Sequence, residues 1–415
     1  MRAGEGCPLC LRADAAGQEH RPARAMALRG DWQLRDVSLC VRHGHPLVTL
    51  WEEGTPARRY EVAARLDEVA ERVLAGGFDA EPVAPSPYDL WLDARLEDGR
   101  DPTWLAGQSL FAATTVCRLL GAELLRFCGD PDGDPAAQLR AAQAAGFAVA
   151  QGGPEAIAAA LDRLAARAEG ANDGPKKAFG RLFQALSDAY REEPAFAPFR
   201  DLLRDRILAV WPVAPGTDLL GEVVAERRLH SVATAAEEAG IGHALMEEFL
   251  IRAGAIAAED PRPAARRTFP AAPHAALIAE IPTLIGALTL RRAMGANQNE
   301  FEALVADGVL APRAPGVRAG WRLRDGLDLV EEVQAGAVRL AAGTTGWESL
   351  QRARARTGPG RWARSSPPSA RDACRWGSRP GPRAGAASGC RRARSTGWPG
   401  RGSPRPMPGW SRPGR

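Results

Sequence analysis

Four side chains near the start of the chain have the types and the spacing of a metal site. Cys7 and Cys10 sit in CPLC, while Cys40 and His43 sit in LCVRHGHPLV, giving C-x2-C, 29 residues, then C-x2-H. Two-residue spacing lets both side chains of a tight turn reach one ion, and two such pairs complete a tetrahedron of three thiolates and one imidazole. The expected ligand set is therefore Cys7, Cys10, Cys40 and His43, holding one Zn2+. A shell closed by four protein atoms leaves no place for a reacting water, so the ion would be structural. A module of about fifty residues with few apolar side chains depends on such an ion to fold. His45 and His20 are spare imidazoles, and either could stand in for His43. A dithiol switch at CPLC would sit at a strand–helix junction of an α/β domain, and no such pattern surrounds it. Cys117 and Cys128 fall on apolar helical stretches and read as core.

A second constellation has the residue types of a DNA contact. Leu288 to Met294 reads as a helix, Gly295 to Asn297 as a turn and Gln298 to Ala306 as a recognition helix. Val309-Leu310 and Trp321 to Leu323 flank the loop APRAPGVRAG and read as a two-stranded wing, followed by another helix. Asn297, Gln298 and Asn299 stand at the start of the recognition helix, where amides can read adenine edges. Arg313, Arg318, Arg322 and Arg324 surround the wing, and Arg291 and Arg292 precede the turn, all placed for phosphates. Six arginines face three acids between Ile281 and Arg324. The plainer reading is that Asn297 caps a helix and the arginines are solvated.

An earlier stretch, Leu229 to Ile256, has helix-turn-helix features. Ser231 can cap, Ala236 is small where helices cross, Gly240 permits a left-handed turn, and Ile241, Met246 and Phe249 supply a core. Its second helix carries Glu247 and Glu248 with one arginine, and carboxylates are repelled by phosphates. A packing or protein-docking pair is at least as good a reading there.

These constellations need a scaffold, and the composition says of what kind. The chain has 415 residues, 45% apolar and 6% aromatic, with Ala and Leu dominant. That gives room for two to four domains and favours a mainly α fold. The net charge of +4 hides an asymmetry: 16 arginines and a single acid, Asp372, lie beyond Gln351. Before that point 38 basic residues face 49 acidic ones, a net of −11. The body therefore has no global field for nucleic acid, and any DNA contact must be local. The first thirty residues lack an apolar leader, and no stretch approaches the ~18 apolar residues of a membrane span. Few, unevenly placed cysteines fit a reducing compartment, so the expected location is the cytoplasm, with no membrane association.

Five segments are expected along the chain. Residues 1–59 form a small zinc ribbon and residues 60–220 a helical body, whose first helix places Val62, Leu66, Val69 and Val73 on one face. Within the body EPVAPSPYDL reads as a linker, Trp104 to Phe127 as an apolar helix broken at Gly121, and two further helices are joined by QGGP. Lys176 to Glu193 and Phe196 to Trp211 add two amphipathic helices. Residues 221–260 are the helix-turn-helix, 280–340 the winged helix-turn-helix and 352–415 a disordered tail of Arg, Gly, Pro, Ser and Trp. Such a tail is either a basic arm for nucleic acid or the product of a shifted frame in a GC-rich gene. Its tryptophans and the abrupt end of the last helix favour the shifted frame, and the tail is assigned no function.

CPLC, then DWQLRDVSLCVRHGHPLV, then SPYDLWLDARLEDGRDPTWLAGQSLFAATTVCRLLGAEL resembles the TniQ family. These are the targeting subunits of DNA transposition systems that also use a transposase and an AAA+ ATPase. The matching elements are Cys7 to Cys10, Trp32 and Leu34, Cys40 to Gly44, Tyr88 and Leu90, and Trp104 to Leu120. They cover about 125 residues, and FRDLLRDRILAVWPVAPGTDLLGEVVAERRLHSVATAAEEAGI carries the likeness to residue 260. Many members place a second cysteine pair after Cys-x-x-His; here that stretch is VTLWEEGTPARR, so a second metal is not expected. The resemblance implies a non-enzymatic adaptor with DNA, the ATPase and the transposase as partners; a homodimer is left open. Neither a phosphate-binding Gly-rich loop ending in Lys-Ser/Thr nor a carboxylate trio for strand transfer stands out. The alternatives are a stand-alone transcriptional regulator that uses the winged unit and, more remotely, a zinc hydrolase, which the closed ligand set opposes.

Overall fold

The structure, a computed structural model, describes residues 2–335 except 19, 56–57, 59–60 and 127–133. Beyond these it describes the backbone of four short strands, at 337–339, 347–349, 376–378 and 388–391. The protein is mainly helical with a few small sheets, in line with its Ala- and Leu-rich composition. Two compact units divide it, Met1–Ala275 and Ala276–Arg415. Among the described residues no helix is long and apolar enough to cross a membrane.

The first unit opens with strand β1 (Arg2–Gly6), which leads through Cys7 into helix α1 (Pro8–Ala15). Two-residue strands β2 (Leu39–Cys40) and β3 (His45–Pro46) pair with each other, and β4 (Val48–Glu53) returns antiparallel to β1. Helix α1 falls in a stretch short of helix signals. It forms because Cys7 is extended and Pro8 occupies the first helical position, where a fixed φ and a missing N–H cost nothing. Helix α2 (Val62–Leu74) bears the expected periodicity. Its Leu66, Ala70 and Val73 share one core with Leu11, Trp32, Leu50 and Trp51. The division drawn at residue 59 assigned this helix to the helical body, whereas its buried face packs in the Cys/His module.

The body is built from α3 (Pro87–Glu97), α4 (Leu110–Leu125), α5 (Pro135–Ala150), α6 (Gly153–Ala165), α7 (Pro175–Gln184) and α8 (Ala197–Val210). Tyr88, Leu105, Leu120, Phe147, Leu161, Phe179 and Leu203 are among its core residues. Only the first half of EPVAPSPYDL links. Ser86 caps α3 in a reciprocal box with Asp89, and Pro87 stands at the first helical position. Helix α4 runs unbroken through Gly121, contrary to the expected break. A Cβ on Gly121 would lie 1.8 Å from the Ala142 carbonyl oxygen, and one on Gly146 would lie 1.7 Å from that of Cys117. The two glycines let α4 and α5 touch backbone to backbone, so Gly121 serves a crossing and not a bend. Cys117 is buried in this core as expected, while Cys128 lies outside the described residues. Helix α7 kinks at Gly180 (φ 43°, ψ −119°), where buried Glu123 accepts the Arg181 N–H at 2.7 Å.

After α8 a hairpin, β5 (Asp218–Leu219) and β6 (Glu222–Val223), is held by buried Arg204, which donates to the carbonyls of Leu219 and Leu220 at 3.0 Å each. Strand β7 (Leu229–Ser231) then leads to α9 (Val232–Ala239) and α10 (His243–Arg252), and β8 (Thr268–Pro270) pairs back on β7. Ser231 caps α9 and Gly240 takes the left-handed conformation at φ 64°. Bonds from Ile241 N–H to Ala236 O and from Gly240 N–H to Glu237 O close the helix. Helix α11 (Ala271–Glu280) follows, and its last residues open the second unit.

The second unit contains α12 (Ala287–Ala293), α13 (Gln298–Ala306) and α14 (Leu323–Ala335) around Leu290, Met294, Phe301, Leu310 and Trp321. Gly295, at φ 67°, turns the chain between α12 and α13. The pairing expected between Val309-Leu310 and Trp321 to Leu323 is not formed. Trp321 instead bridges Ile285 antiparallel, at 2.9 and 3.1 Å, and Leu323 opens α14. Pro312 and Pro315 have no N–H to offer a ladder, and Leu310 and Trp321 are both committed to the core. Strands β9 (Ala337–Arg339), β10 (Trp347–Ser349), β11 (Trp376–Ser378) and β12 (Ser388–Arg391) form one sheet in the order β10-β12-β11-β9. The tail 352–415, expected to lack a fold, thus contributes two strands too short for periodicity to register. Its remaining residues lie outside those described.

Candidate functional site

Cys7, Cys10, Cys40 and His43 converge. Their ligand atoms all lie within 4.8 Å of one another, so the set could hold a metal ion. His43 Nδ1 lies 3.2 Å from Cys10 Sγ and 3.6 Å from the sulfurs of Cys7 and Cys40, and Cys10 Sγ is 3.6 Å from Cys40 Sγ. Cys7 and Cys10 are fully buried and Cys40 nearly so. Among the described residues no other group of three or more His, Cys, Asp or Glu side chains meets in this way. The first half of the stretch where a second cysteine pair might have stood, Val48–Glu53, is strand β4.

The elements explain the convergence. Cys7 is the cap and Cys10 the third residue of α1, so one turn of helix brings both thiols to the same end. Cys40 ends β2, and a turn closed by His43 N–H on the Cys40 carbonyl brings the imidazole back over it. Gly44, at φ 60°, completes that turn and accepts the Val83 N–H at 2.6 Å. A Cβ there would come within 3.0 Å of the Val83 carbonyl. His45, the spare imidazole, is buried and engaged elsewhere. Its Nδ1 donates to the Pro46 carbonyl at 2.6 Å and its Nε2 accepts the Ala80 N–H at 2.9 Å.

Three thiols this close cannot all ionise against one another. Hydrogen bonds from Cys10 and Cys7 push the Cys40 thiol far down. The bonds of Cys10 to Cys40 and Cys7 push its own thiol far up, and burial adds to this. A dication at the centre would remove the conflict by neutralising the thiolates together.

The loop between the two ligand pairs fastens this module to the helical body. The Asp36 carboxylate accepts from Thr114 Oγ1 at 2.9 Å and lies 3.5 Å from Arg118 Nε. Its carbonyl accepts from Gln143 Nε2 at 3.0 Å and from the Tyr88 hydroxyl at 3.3 Å. Thr114, Gln143 and Tyr88 are buried, on α4, α5 and α3. Sequence reasoning missed Asp36, because a lone aspartate in a loop carries no signal of what it will meet.

The residues read as DNA contacts cluster on the surface of the second unit but are not idle. Asn297 caps α13, its Oδ1 accepting the Glu300 N–H at 3.0 Å, so its side-chain oxygen is committed as the plainer reading had it. Gln298 bonds Glu302 at 2.9 Å and accepts from Arg291 at 3.3 Å, while Asn299 is exposed. Arg313 and Arg322 both pair with Glu280, and Arg324 with Asp328 at 3.5 Å. Arg292 and Arg318 are exposed and make no ion pair among the described residues. On α10, Glu247 is held by Arg267 at 2.5 and 2.9 Å and Glu248 by Arg252 at 2.7 Å. The carboxylates expected to repel phosphates are therefore each neutralised.

No family model, curated protein or solved structure matches the chain.

Proposed function

We propose that this chain is a TniQ-like DNA-targeting adaptor, held together at its N-terminus by one structural zinc and contacting DNA through its second unit. The observation that carries the proposal is the convergence of buried Cys7, Cys10 and Cys40 with half-buried His43, within the motif order of that family. Tetrahedral zinc, with Zn–S near 2.3 Å and Zn–N near 2.0–2.1 Å, calls for S···S edges of about 3.8 Å and S···N edges of about 3.6 Å. Four of the six separations, 3.2 to 3.6 Å, lie close to those edges, and all six are within 4.8 Å. When bound, the ion supplies structure and no reaction, because four protein atoms fill its shell. Strand transfer and ATP hydrolysis then belong to a transposase and an AAA+ ATPase that the adaptor recruits in the cytoplasm.

The DNA part of the reading is a helix-turn-helix formed by α12 and α13, with the 311–320 loop and the Ile285–Trp321 bridge in the place of a wing. With Asn297 held as a cap, base reading falls to Gln298 and Asn299, and phosphate contacts to Arg291, Arg292, Arg313, Arg318, Arg322 and Arg324. The α9–α10 pair, whose Glu247 and Glu248 are paired internally with arginines, is read as a docking element for protein.

Selection from a randomised duplex library at two salt concentrations, with co-purification of bound partners, tests the proposal. Asn299→Ala should relax sequence preference, each base contact being worth roughly 1–3 kcal/mol of discrimination. Arg318→Ala should weaken binding to all sequences and lower the salt slope by about 1. A full-length chain that selects no sequence and retains no transposition protein would leave the proposal without support.

A further inference from the structure

We infer that Arg313 and Arg322 form a phosphodiester site whose resting occupant is Glu280; this rests on the DNA reading of the second unit. Glu280 closes α11, and its two carboxylate oxygens are taken by two guanidiniums from the connection between α13 and α14. Arg322 Nε bonds Oε1, and Arg313 Nε lies 3.4 Å from Oε2. Arg313 comes from the loop after α13 and Arg322 from the residue before α14. Two arginines nine positions apart, one at each end of a loop, have thus already converged on one singly charged anion with two acceptor oxygens. A DNA phosphodiester has the same charge and the same pair of free oxygens, and guanidinium forks bind both groups.

The pair is also placed to exchange. The side chain of Glu280 is 21% exposed, and those of Arg313 and Arg322 are 39% and 43% exposed. Solvent screens such a triad, so an incoming phosphate competes with the carboxylate on near-equal terms. Arg322 first, and Arg313 with it, holds the Glu280 carboxyl below the usual carboxylate range, so the occupant is an anion at neutral pH. Arg318, on the same loop as Arg313, makes no ion pair among the described residues and is available for a neighbouring phosphate. Glu280 therefore competes with every incoming phosphate, of whatever sequence, for two of the six arginines. The chain would bind random DNA more weakly than its arginine content suggests.

The experiment uses the full chain and a duplex of random sequence, with affinity measured across a salt series. Glu280→Gln keeps the shape of the side chain and removes its charge. It should tighten binding about fivefold while leaving the salt slope nearly unchanged, because the same phosphates are contacted with the competitor gone. In a background of Arg313→Ala and Arg322→Ala the same change should have no effect, and that background should itself lower the slope by about 2. Glu280→Asp, which retains charge on a shorter arm, should fall between wild type and Glu280→Gln and guards against a folding defect. If Glu280→Gln leaves affinity unchanged while Arg318→Ala weakens it, the DNA reading stands and this inference is wrong. If the gain persists without the two arginines, it is a bulk charge effect and the site is refuted. Failure of wild type and every variant to bind duplex DNA overturns both.

Discussion

In the first unit Cys7, Cys10, Cys40 and His43 meet at one point, the three cysteines buried and the histidine half-buried. In the second, Asn297, Gln298 and the arginines stay on the surface, most of them met one by one by neighbouring side chains. Both groups were visible as residue types at telling spacings, yet the spacings carried different amounts of information. Coordination demands that all donors reach one ion, so C-x2-C and C-x2-H already imply a three-dimensional arrangement. Phosphate contact demands only exposure and charge, and the same residues serve equally well as caps and ion-pair partners. Convergence could be read from spacing; availability could not.

The largest effect should come from the metal set. Apparent binding free energies of structural zinc are roughly 10–16 kcal/mol, comparable with the whole stability of a domain. Cys40→Ser, or a strong chelator, should therefore unfold the Cys/His module, while the helices of the body persist with a lowered melting temperature. Circular dichroism with and without chelator measures both. A folded module after metal removal would make the two regions alike, each merely bearing polar residues.

An intermediate effect is expected at Asp36, where the module is fastened to the body. Asp36→Ala removes the nearer of two acceptors of Thr114, whose hydroxyl also reaches the Phe111 carbonyl at 3.3 Å, and the ion-pair partner of largely sheltered Arg118. Groups left buried without partners cost about 2–4 kcal/mol in total. Chemical denaturation should show this loss, and zinc content should be unchanged. Loss of the metal as well would mean that Asp36 shapes the site and does not simply anchor it.

The smallest effect belongs to Asn297. As a cap it should contribute about 1 kcal/mol, so Asn297→Ala should lower stability by that much. Its sequence preference on a randomised library should match that of wild type. A changed preference would show that this amide reads DNA and would narrow the contrast between the regions.

These outcomes bear on how far the sequence alone could go. Helix α2 was legible because Val62, Leu66 and Val73 repeat with the helical period. The turns at Gly240 and Gly295 were legible because a left-handed residue between two helices favours glycine. Gly121 was misread as a break, since a glycine that bends a helix and one that admits a neighbouring backbone look the same in one dimension. The wing was misread because Trp321 finds its partner at Ile285, 36 positions back, and no local pattern announces that. Charge windows failed for a related reason. Glu280 lies one residue before the window that gave six arginines against three acids, and Arg267 lies beyond the one that left Glu247 unbalanced. Partners chosen by the fold lie outside any window drawn on the sequence.

X-ray absorption at the zinc edge on the purified full chain, together with metal content, reads the ligand set of the closed zinc shell itself. One zinc per chain, with three sulfurs at about 2.3 Å and one nitrogen at about 2.0–2.1 Å, is the predicted result. Two zincs per chain, an oxygen in the first shell, or a folded N-terminal module without metal would contradict it.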